Sequence, residues 1–391
     1  VRRARISLIF LVVFIDLLGF GIMIPMLPFY AESMGAGSIQ IGLLMASYSF
    51  FQIFAGPIWG AWSDRIGRRP VLLMTIIGQS LAFALSAIAP DFWFLLLSRS
   101  LAGLFGGNIS VASAYMADIT SEEERGKAMG LIGAAFGLGF VFGPAIGGLL
   151  ISYGPAWPSV VAAALAFINA LGAYFYLAEP PVDTQERSKN RKQWSKNDLK
   201  DFLGRIEIVI PTLIFFFFTF AFVQLEVTFG LFVTNIFGFS QKDSGLMLAL
   251  VGVTMAIVQG GLLGKAIRVF GELNLVLLGS LTLCMGLVAL SLAQTNFWLL
   301  SSLLILGVGY SLANPCLTSL VSKAAPSNRR GSVMGFYQSV GSIARIVAPV
   351  TAGAVYHLDP RYPMKLGAIM VAGAAAIWTV RALVARAEKS S

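Results

Sequence analysis

Glu124-Arg125-Gly126-Lys127-Ala128-Met129-Gly130 recurs, 205 positions on, as Arg329-Arg330-Gly331-Ser332-Val333-Met334-Gly335. Close to the same offset, Gly143-Pro144 returns as Ala348-Pro349 and Gly148 as Gly353. A weaker copy of Gly60-Ala61-Trp62-Ser63-Asp64-Arg65 stands 204 positions later, as Gly264-Lys265-Ala266-Ile267-Arg268. Three matches at one spacing predict two halves built to the same plan. Each copy of the basic segment is also the doorstep of a long apolar run, which fixes what kind of halves these are.

The 391 residues are 57% hydrophobic and only 12% charged, with a mean hydropathy of +0.79. Soluble domains carry about 25% charge. Apolar runs of about 20 residues recur along the whole chain, long enough to cross a hydrocarbon core ~30 Å thick. The ~10-residue alternating segments of an outer-membrane barrel are absent from the pattern. Twelve spans are expected, near 6–31, 39–62, 70–90, 92–117, 126–152, 157–178, 206–236, 242–268, 273–293, 296–322, 331–356 and 364–387. Arg2, Arg3 and Arg5 before the first run resemble the charged region of a signal peptide. The run, however, continues to Tyr30 without a small-residue cleavage site and contains Asp16, so it is read as the first span.

Orientation follows from Lys and Arg. With both termini cytoplasmic, that side holds 23 of the 28 basic residues, and the other holds only Lys242, Arg361 and Lys365. Arg99 and Arg345 lie within spans. This asymmetry satisfies the positive-inside rule, and the net charge of +9 is absorbed by topology rather than by a nucleic-acid partner. Residues 179–205, Pro-started and rich in charge, form a linker between six-span halves at 1–178 and 206–391; a surface-lying helix around Trp194 and a plain solvated linker both fit. Two such halves with both ends on one side must be parallel repeats about an axis along the membrane normal. The two cysteines, Cys284 and Cys316, sit inside apolar runs and read as packing residues. His357 is the lone histidine, so no metal site and no cofactor is expected.

The turn after span two reads Gly60-Ala61-Trp62-Ser63-Asp64-Arg65-Ile66-Gly67-Arg68-Arg69. Gly60 and Gly67 allow close approach and a tight turn, and Asp64 is an acid in a basic loop. The segment resembles the signature loop of the major facilitator superfamily. That resemblance implies a twelve-helix transporter of two pseudo-repeated bundles, and a latch in which Asp64, by the start of span eleven, pairs with Arg68, with Asp118 as a third member. An anion at a helix N-terminus gains ~0.3–1 kcal/mol. Topology-setting charge alone accounts for Arg65, Arg68 and Arg69 but leaves Asp64 unexplained.

Span four carries Arg99-Ser100-Leu101-Ala102-Gly103, then Gly106-Gly107-Asn108. An arginine in hydrocarbon costs at least ~2.5 kcal/mol on insertion scales, so Arg99 should face protein or water. The pattern resembles the family's fourth-helix motif, which implies a part in proton coupling; a structural ion pair is the plainer alternative. Span five gives Gly133, Gly137, Gly139 and Gly143-Pro144-Ala145-Ile146-Gly147-Gly148, similar to the motif of the drug/proton antiporter branch. Small residues permit close backbone packing and Pro144 can bend the helix, so Gly143 and Pro144 are read as a gating seam.

Span one holds Asp16-Leu17-Leu18-Gly19-Phe20-Gly21-Ile22-Met23-Ile24-Pro25-Met26-Leu27-Pro28, which looks like the first helix of tetracycline/proton antiporters. At 1.5 Å per residue Asp16 lies ~15 Å into the span. A carboxyl there is expensive as an anion and suited to exchanging a proton. The second half adds Glu226 in span seven and Arg345 in span eleven, both more like organic-anion carriers of the same branch. Asp16, Arg99, Glu226 and Arg345 together carry no net charge, as a low-dielectric cavity would favour. Proton coupling is assigned to Asp16, Arg99 and Glu226. Substrate binding is assigned to Asp16, Glu226 and Arg345 with the in-span polar groups Gln52, Asn108, Gln224, Gln259, Asn314 and Gln338, which as a class also serve as interhelical glue.

The expectation is an all-α inner-membrane protein that uses the proton gradient to export small amphipathic compounds and, carrying its own site, can work as a monomer among lipids. A proton-independent or symport-type carrier of an organic anion or lipid-like substrate is the alternative. No nucleophile–base or metal constellation for an enzyme and no charged ring for a channel can be assembled from these residues. A binding-only sensor on the same scaffold also fits the sequence.

Overall fold

The structure, a computed structural model, describes residues 2–120, 122–180, 202–326 and 330–390. The expected linker helix around Trp194 and the Arg329 end of the second basic copy lie outside the described residues. Among the described residues there is no strand. The helices are α1 (Arg2–Met23), α2 (Leu27–Ser33), α3 (Ser38–Ile66), α4 (Arg68–Ala87), α5 (Phe92–Phe105), α6 (Asn108–Ile119), α7 (Glu122–Leu150) and α8 (Trp157–Tyr176). They continue with α9 (Ile206–Phe237), α10 (Gln241–Ile257), α11 (Leu263–Ser291), α12 (Asn296–Ala324), α13 (Arg330–Tyr356) and α14 (Tyr362–Ser390). A π-helical turn, Val258–Leu262, joins α10 to α11.

Ten stretches among the described residues are long and apolar enough to cross a membrane. One of them, Gln241–Ser291, is 51 residues long and is interrupted at Gly271, where φ 75° and ψ 155° cannot continue a helix, so it accounts for two crossings. The apolar part of α7, Gly137–Tyr153, supplies a further one. Twelve crossings result, at the positions the sequence leads one to expect. Two spans are less regular than expected. Span one breaks after Met23, ahead of Pro25, and resumes as α2 with Pro28 in its first turn, where a missing N–H does no harm. Span four breaks at Gly106-Gly107 into α5 and α6.

The backbone repeats as the sequence does. Gly67 (φ 106°, ψ 156°) stands 204 positions before Gly271 in nearly the same conformation, and each turns the chain at the end of a long helix. Asp91 and Thr295, also 204 apart, are both N-caps whose side chains accept from the N–H three residues on, Phe94 at 2.9 Å and Trp298 at 3.3 Å. Gly60 departs from its reading: among the described residues nothing approaches the place its Cβ would occupy. Its partner in the motif, Gly67, does the turning.

The chain forms two compact units, Val1–Lys192 with Gly238–Ala249, and Gln193–Phe237 with Leu250–Ser391. In lipid, helices gain little from hiding apolar surface and associate through close packing. The first unit therefore combines an apolar cluster of α1, α4, α6 and α8 (Val12, Val13, Leu72, Ile76, Val111, Ala112, Tyr115, Ala170) with interhelical bonds: Asn169 Nδ2 donates to Val12 O at 2.9 Å and Ser80 Oγ to Ala163 O at 2.9 Å. In the second unit α11 and α12 approach backbone to backbone. A Cβ on Gly279 would lie 2.7 Å from Gly309 O, and one on Gly286 2.6 Å from Leu306 N. Cys316 is buried there, and the Cys284 thiol donates to Ala368 O at 3.5 Å.

Beside the Gly271 turn, Glu272 accepts from Lys323 Nζ and Ser319 Oγ, both at 2.7 Å. Burial alone would raise the carboxyl's pKa, but the Lys323 and Ser319 hydrogen bonds and the Lys323 charge together hold it below its ordinary 4.5. A depressed folded-state pKa stabilises the fold fully above the ordinary value and loses that contribution as pH falls through the lowered one. Lys323 is 67% exposed, so the effect is on the order of 1 kcal/mol or less. The thermal midpoint of wild type in detergent should exceed that of Glu272→Gln at pH 7, with the gap closing as pH falls below about 4.5.

Candidate functional site

The break in span four organises the first unit. Two consecutive glycines have poor helix propensity, and ending α5 at Phe105 frees carbonyls in hydrocarbon, where a bare polar group costs several kcal/mol. Neighbouring side chains cover them. Gln52 Nε2 donates to Gly106 O at 2.8 Å and lies 3.3 Å from the Tyr48 hydroxyl, while Trp59 Nε1 donates to Leu104 O at 2.6 Å. The helix restarts at Asn108, whose side chain is buried and hydrogen-bonds the carboxyl of Asp16 on α1. Asp16 is 5% exposed, and its Oδ1, like Oδ1 of Asn108, has no partner among the described residues. Arg99, 2% exposed on α5, lies beneath two rings, 5.3 Å from the Phe20 centroid and 4.4 Å from that of Tyr48. Asp16, Gln52, Arg99 and Asn108, from four helices, thus gather around one discontinuity.

The glycines of α7 serve two partners. Gly139, Gly143 and Gly147 face α1: Cβ atoms there would lie 3.0 Å from Leu17 O, 2.5 Å from Gly21 C and 2.5 Å from Ile22 O. One position on, Gly148 meets Gly245 near the start of α10, and a Cβ on Gly245 would also lie 2.6 Å from Pro144 O. Helix α7 runs unbroken through Pro144.

At the Gly67 turn a second constellation forms. Asp64 stands in the last turn of α3 and Asp118 in the last turn of α6, each at the negative end of a helix dipole. Arg68 bridges them, with Nη1 2.7 Å from Asp64 Oδ1 and Nε 2.9 Å from Asp118 Oδ2, and also donates to Ser63 Oγ at 2.6 Å. Arg65 is exposed. The expected third contact, with the start of α13, involves side chains outside the described residues. Sequence reading missed Glu179, which it left in the linker. The Glu179 carboxylate caps α4, accepting from the N–H groups of Arg68 and Arg69, each at 2.7 Å. A single acid following a span is a weak sequence signal; the missing side-chain cap at Gly67 is the hint that was available.

In the second unit, the Tyr310 hydroxyl feels the charges of both Arg345 and Glu226, which brings α9, α12 and α13 to one place. Phe218 and Phe222 pack on Tyr310 at 6.3 and 4.6 Å, and Phe215 stacks on Tyr337 at 4.1 Å. Arg345 Nη2 donates to Ser342 Oγ at 3.0 Å. Asn314 is half-buried, with Oδ1 unpartnered among the described residues. Gln224 is fully buried and donates to Thr351 Oγ1 at 2.7 Å, the geometry of an interhelical tie. Gln259, in the π turn, and Gln338 are exposed.

The sequence profile of the Major Facilitator Superfamily matches residues 9–349. The chain belongs to this superfamily. Its relatives include tetracycline resistance protein, class C, of Escherichia coli, 32% identical over 88% of this chain and 87% of the other, and multidrug resistance protein 2 of Bacillus subtilis, 29% identical over 92% and 91%. Among solved structures, the human organic anion transporter MFSD10 (TETRAN) aligns with a TM-score of 0.71 at 26% identity, covering 96% of this chain and 99% of that one. The nucleoside transporter NupG reaches 0.81 at 14% identity over 96% and 99%, a likeness of fold alone. The protein is thus an integral multi-pass transporter of the major facilitator fold, built from the two six-helix bundles that its repeats announce.

Within that fold the Arg68 cluster is a test of buried charge. Removing one partner of a buried ion pair costs ~3–5 kcal/mol, because the other is left uncompensated. Arg68→Ala removes the cation that the two carboxylates share and should lower stability toward that range. Arg68→Lys, lacking the fork that serves both acids, should fall between. Chemical or thermal unfolding in detergent measures the order; equal stability of all three proteins would contradict it.

Proposed function

We propose that this protein is a proton-coupled antiporter that exports small amphipathic organic compounds by alternating access, with Asp16 as the group that exchanges proton and substrate. The observation that carries the reading is a carboxyl buried in the first unit at a broken span, held by Asn108 and with Oδ1 unpartnered among the described residues. In the closed core a proton neutralises that carboxyl. A substrate with a donor or positive charge can satisfy it instead, so occupancy by one disfavours the other. Arg99 keeps the surroundings electropositive from beneath its two rings, and Glu226 is the second coupling acid. Relatives bearing the names of multidrug and tetracycline resistance proteins favour efflux.

The same reading takes the transport halves as 1–178 and 206–391 joined by 179–205, both termini as cytoplasmic, and the membrane as the inner membrane. Asp64, Arg65, Arg68 and Asp118 act as a latch on one access state, and Gly143 and Pro144 as the seam that slides. Protons, a small-molecule substrate and lipids are the partners of a monomer; neither nucleic acid nor cofactor takes part, and the chain is not an enzyme. A second reading, an organic-anion carrier, is favoured by Glu226 and Arg345 around Tyr310: an anionic substrate would compete with Glu226 for Arg345.

The test uses purified protein in liposomes with an internal pH dye and an imposed proton gradient. Cationic, zwitterionic and anionic compounds, tetracyclines included, are added to wild type and Asp16→Asn. Substrate-dependent proton flux in wild type, abolished in Asp16→Asn, is the expected result. Compound movement without protons, unchanged in the variant, would overturn antiport at Asp16.

A further inference from the structure

Gln79 on α4 belongs to no assigned site, yet it is completely buried and neither Oε1 nor Nε2 has a partner among the described residues. A buried amide with neither end satisfied is rare and calls for an explanation. Gln79 continues the apolar cluster of the first unit, one turn beyond Ile76. Asp16 stands one turn beyond Val12 and Val13 on α1, and Asn108 one turn before Val111 and Ala112 on α6, at the same end of that cluster. Three buried polar side chains therefore close one end of one apolar core.

Two packing contacts fix the register. A Cβ on Gly19 would lie 3.4 Å from Phe83 Cε2. Gly19 follows Asp16 by three residues and Phe83 follows Gln79 by four, so Asp16 and Gln79 lie about one turn back along helices that rise together. A Cβ on Gly78 would run into the ring of Phe105, three residues before Asn108. The four atoms without partners among the described residues, Oδ1 of Asp16, Oδ1 of Asn108, and Oε1 and Nε2 of Gln79, thus come from one level of α1, α6 and α4, where α6 packs against both of the others. They offer one donor and three acceptors, the mixture that a bridging water satisfies with two to four hydrogen bonds.

We infer that Gln79 is the third member of the Asp16 site: with Asn108 it bounds a small polar chamber that takes water and, through it, hydrogen-bonds the Asp16 carboxyl. Gln79 is then a positioning residue, acting through water on the group that the proposed antiport mechanism uses. This rests on Asp16 being the protonatable carboxyl of that mechanism.

Infrared difference spectroscopy of the purified full chain, between acid and neutral pH, separates the two claims. A protonated-carboxyl band that disappears in Asp16→Asn identifies the group. In Gln79→Leu that band should move to higher frequency, as a carbonyl does on losing a hydrogen bond. A water O–H band that shifts in H218O should be present in wild type and lost in Gln79→Leu, while Gln79→Asn, which keeps an amide, should retain it. Because the partner of the amide is water and not another helix, Gln79→Leu should fold, with a thermal midpoint close to that of wild type. Should leucine fail to fold, the inference fails with it, since the amide would then be a structural tie; Gln79→Met, of similar length, checks that outcome by the same loss of stability. An unmoved carboxyl band in folded Gln79→Leu would also overturn the inference and leave Asp16 as the coupling group. A spectrum with no band removed by Asp16→Asn would instead remove the reading on which it rests.

Discussion

A backbone carbonyl with no partner has nowhere to turn in hydrocarbon, and the first unit is arranged around that constraint. Gly106-Gly107 interrupts span four at membrane depth. The interruption is tolerated because Gln52 and Trp59 reach across from α3 to the freed carbonyls. Once the break is paid for in this way, its restart at Asn108 can face Asp16. The site is therefore a consequence of how the break is satisfied.

The charged turn obeys the same logic at the other end of those helices. Asp64 and Asp118 sit where helix dipoles disfavour carboxylates, so Arg68 is needed by both, and Glu179 supplies the cap that Gly67 cannot. The buried charges of this turn are answered by neighbouring elements. The glycine seams supply the remaining condition, since Gly139, Gly143 and Gly147 let α7 close on α1 until no side chain fits between them.

Much of this was legible in the residues. The 204-residue repeat appears in the backbone at Gly67 and Gly271 and in the caps at Asp91 and Thr295, because turn and cap chemistry is local and the residue type reveals it. The turn at Gly271 lies between the expected spans eight and nine for the same reason. Gln79 and Glu179 were not legible. A glutamine within an apolar helix reads as glue, and an acid after a span reads as linker; only the packing shows that, among the described residues, the first has no partner and the second has two. The in-span amides divided likewise: Gln224 is tied to Thr351, whereas Gln259 and Gln338 are exposed, a difference of helix face that composition does not encode.

The central claim is that one buried carboxyl is satisfied alternately by a proton and by substrate. Proton release on binding tests it most directly, with purified protein in detergent, weak buffer and a pH dye, titrated with compounds that bind. The account predicts that binding to wild type releases protons and that binding to Asp16→Asn releases none. Binding to wild type without proton release, or equal release from both proteins, would contradict it.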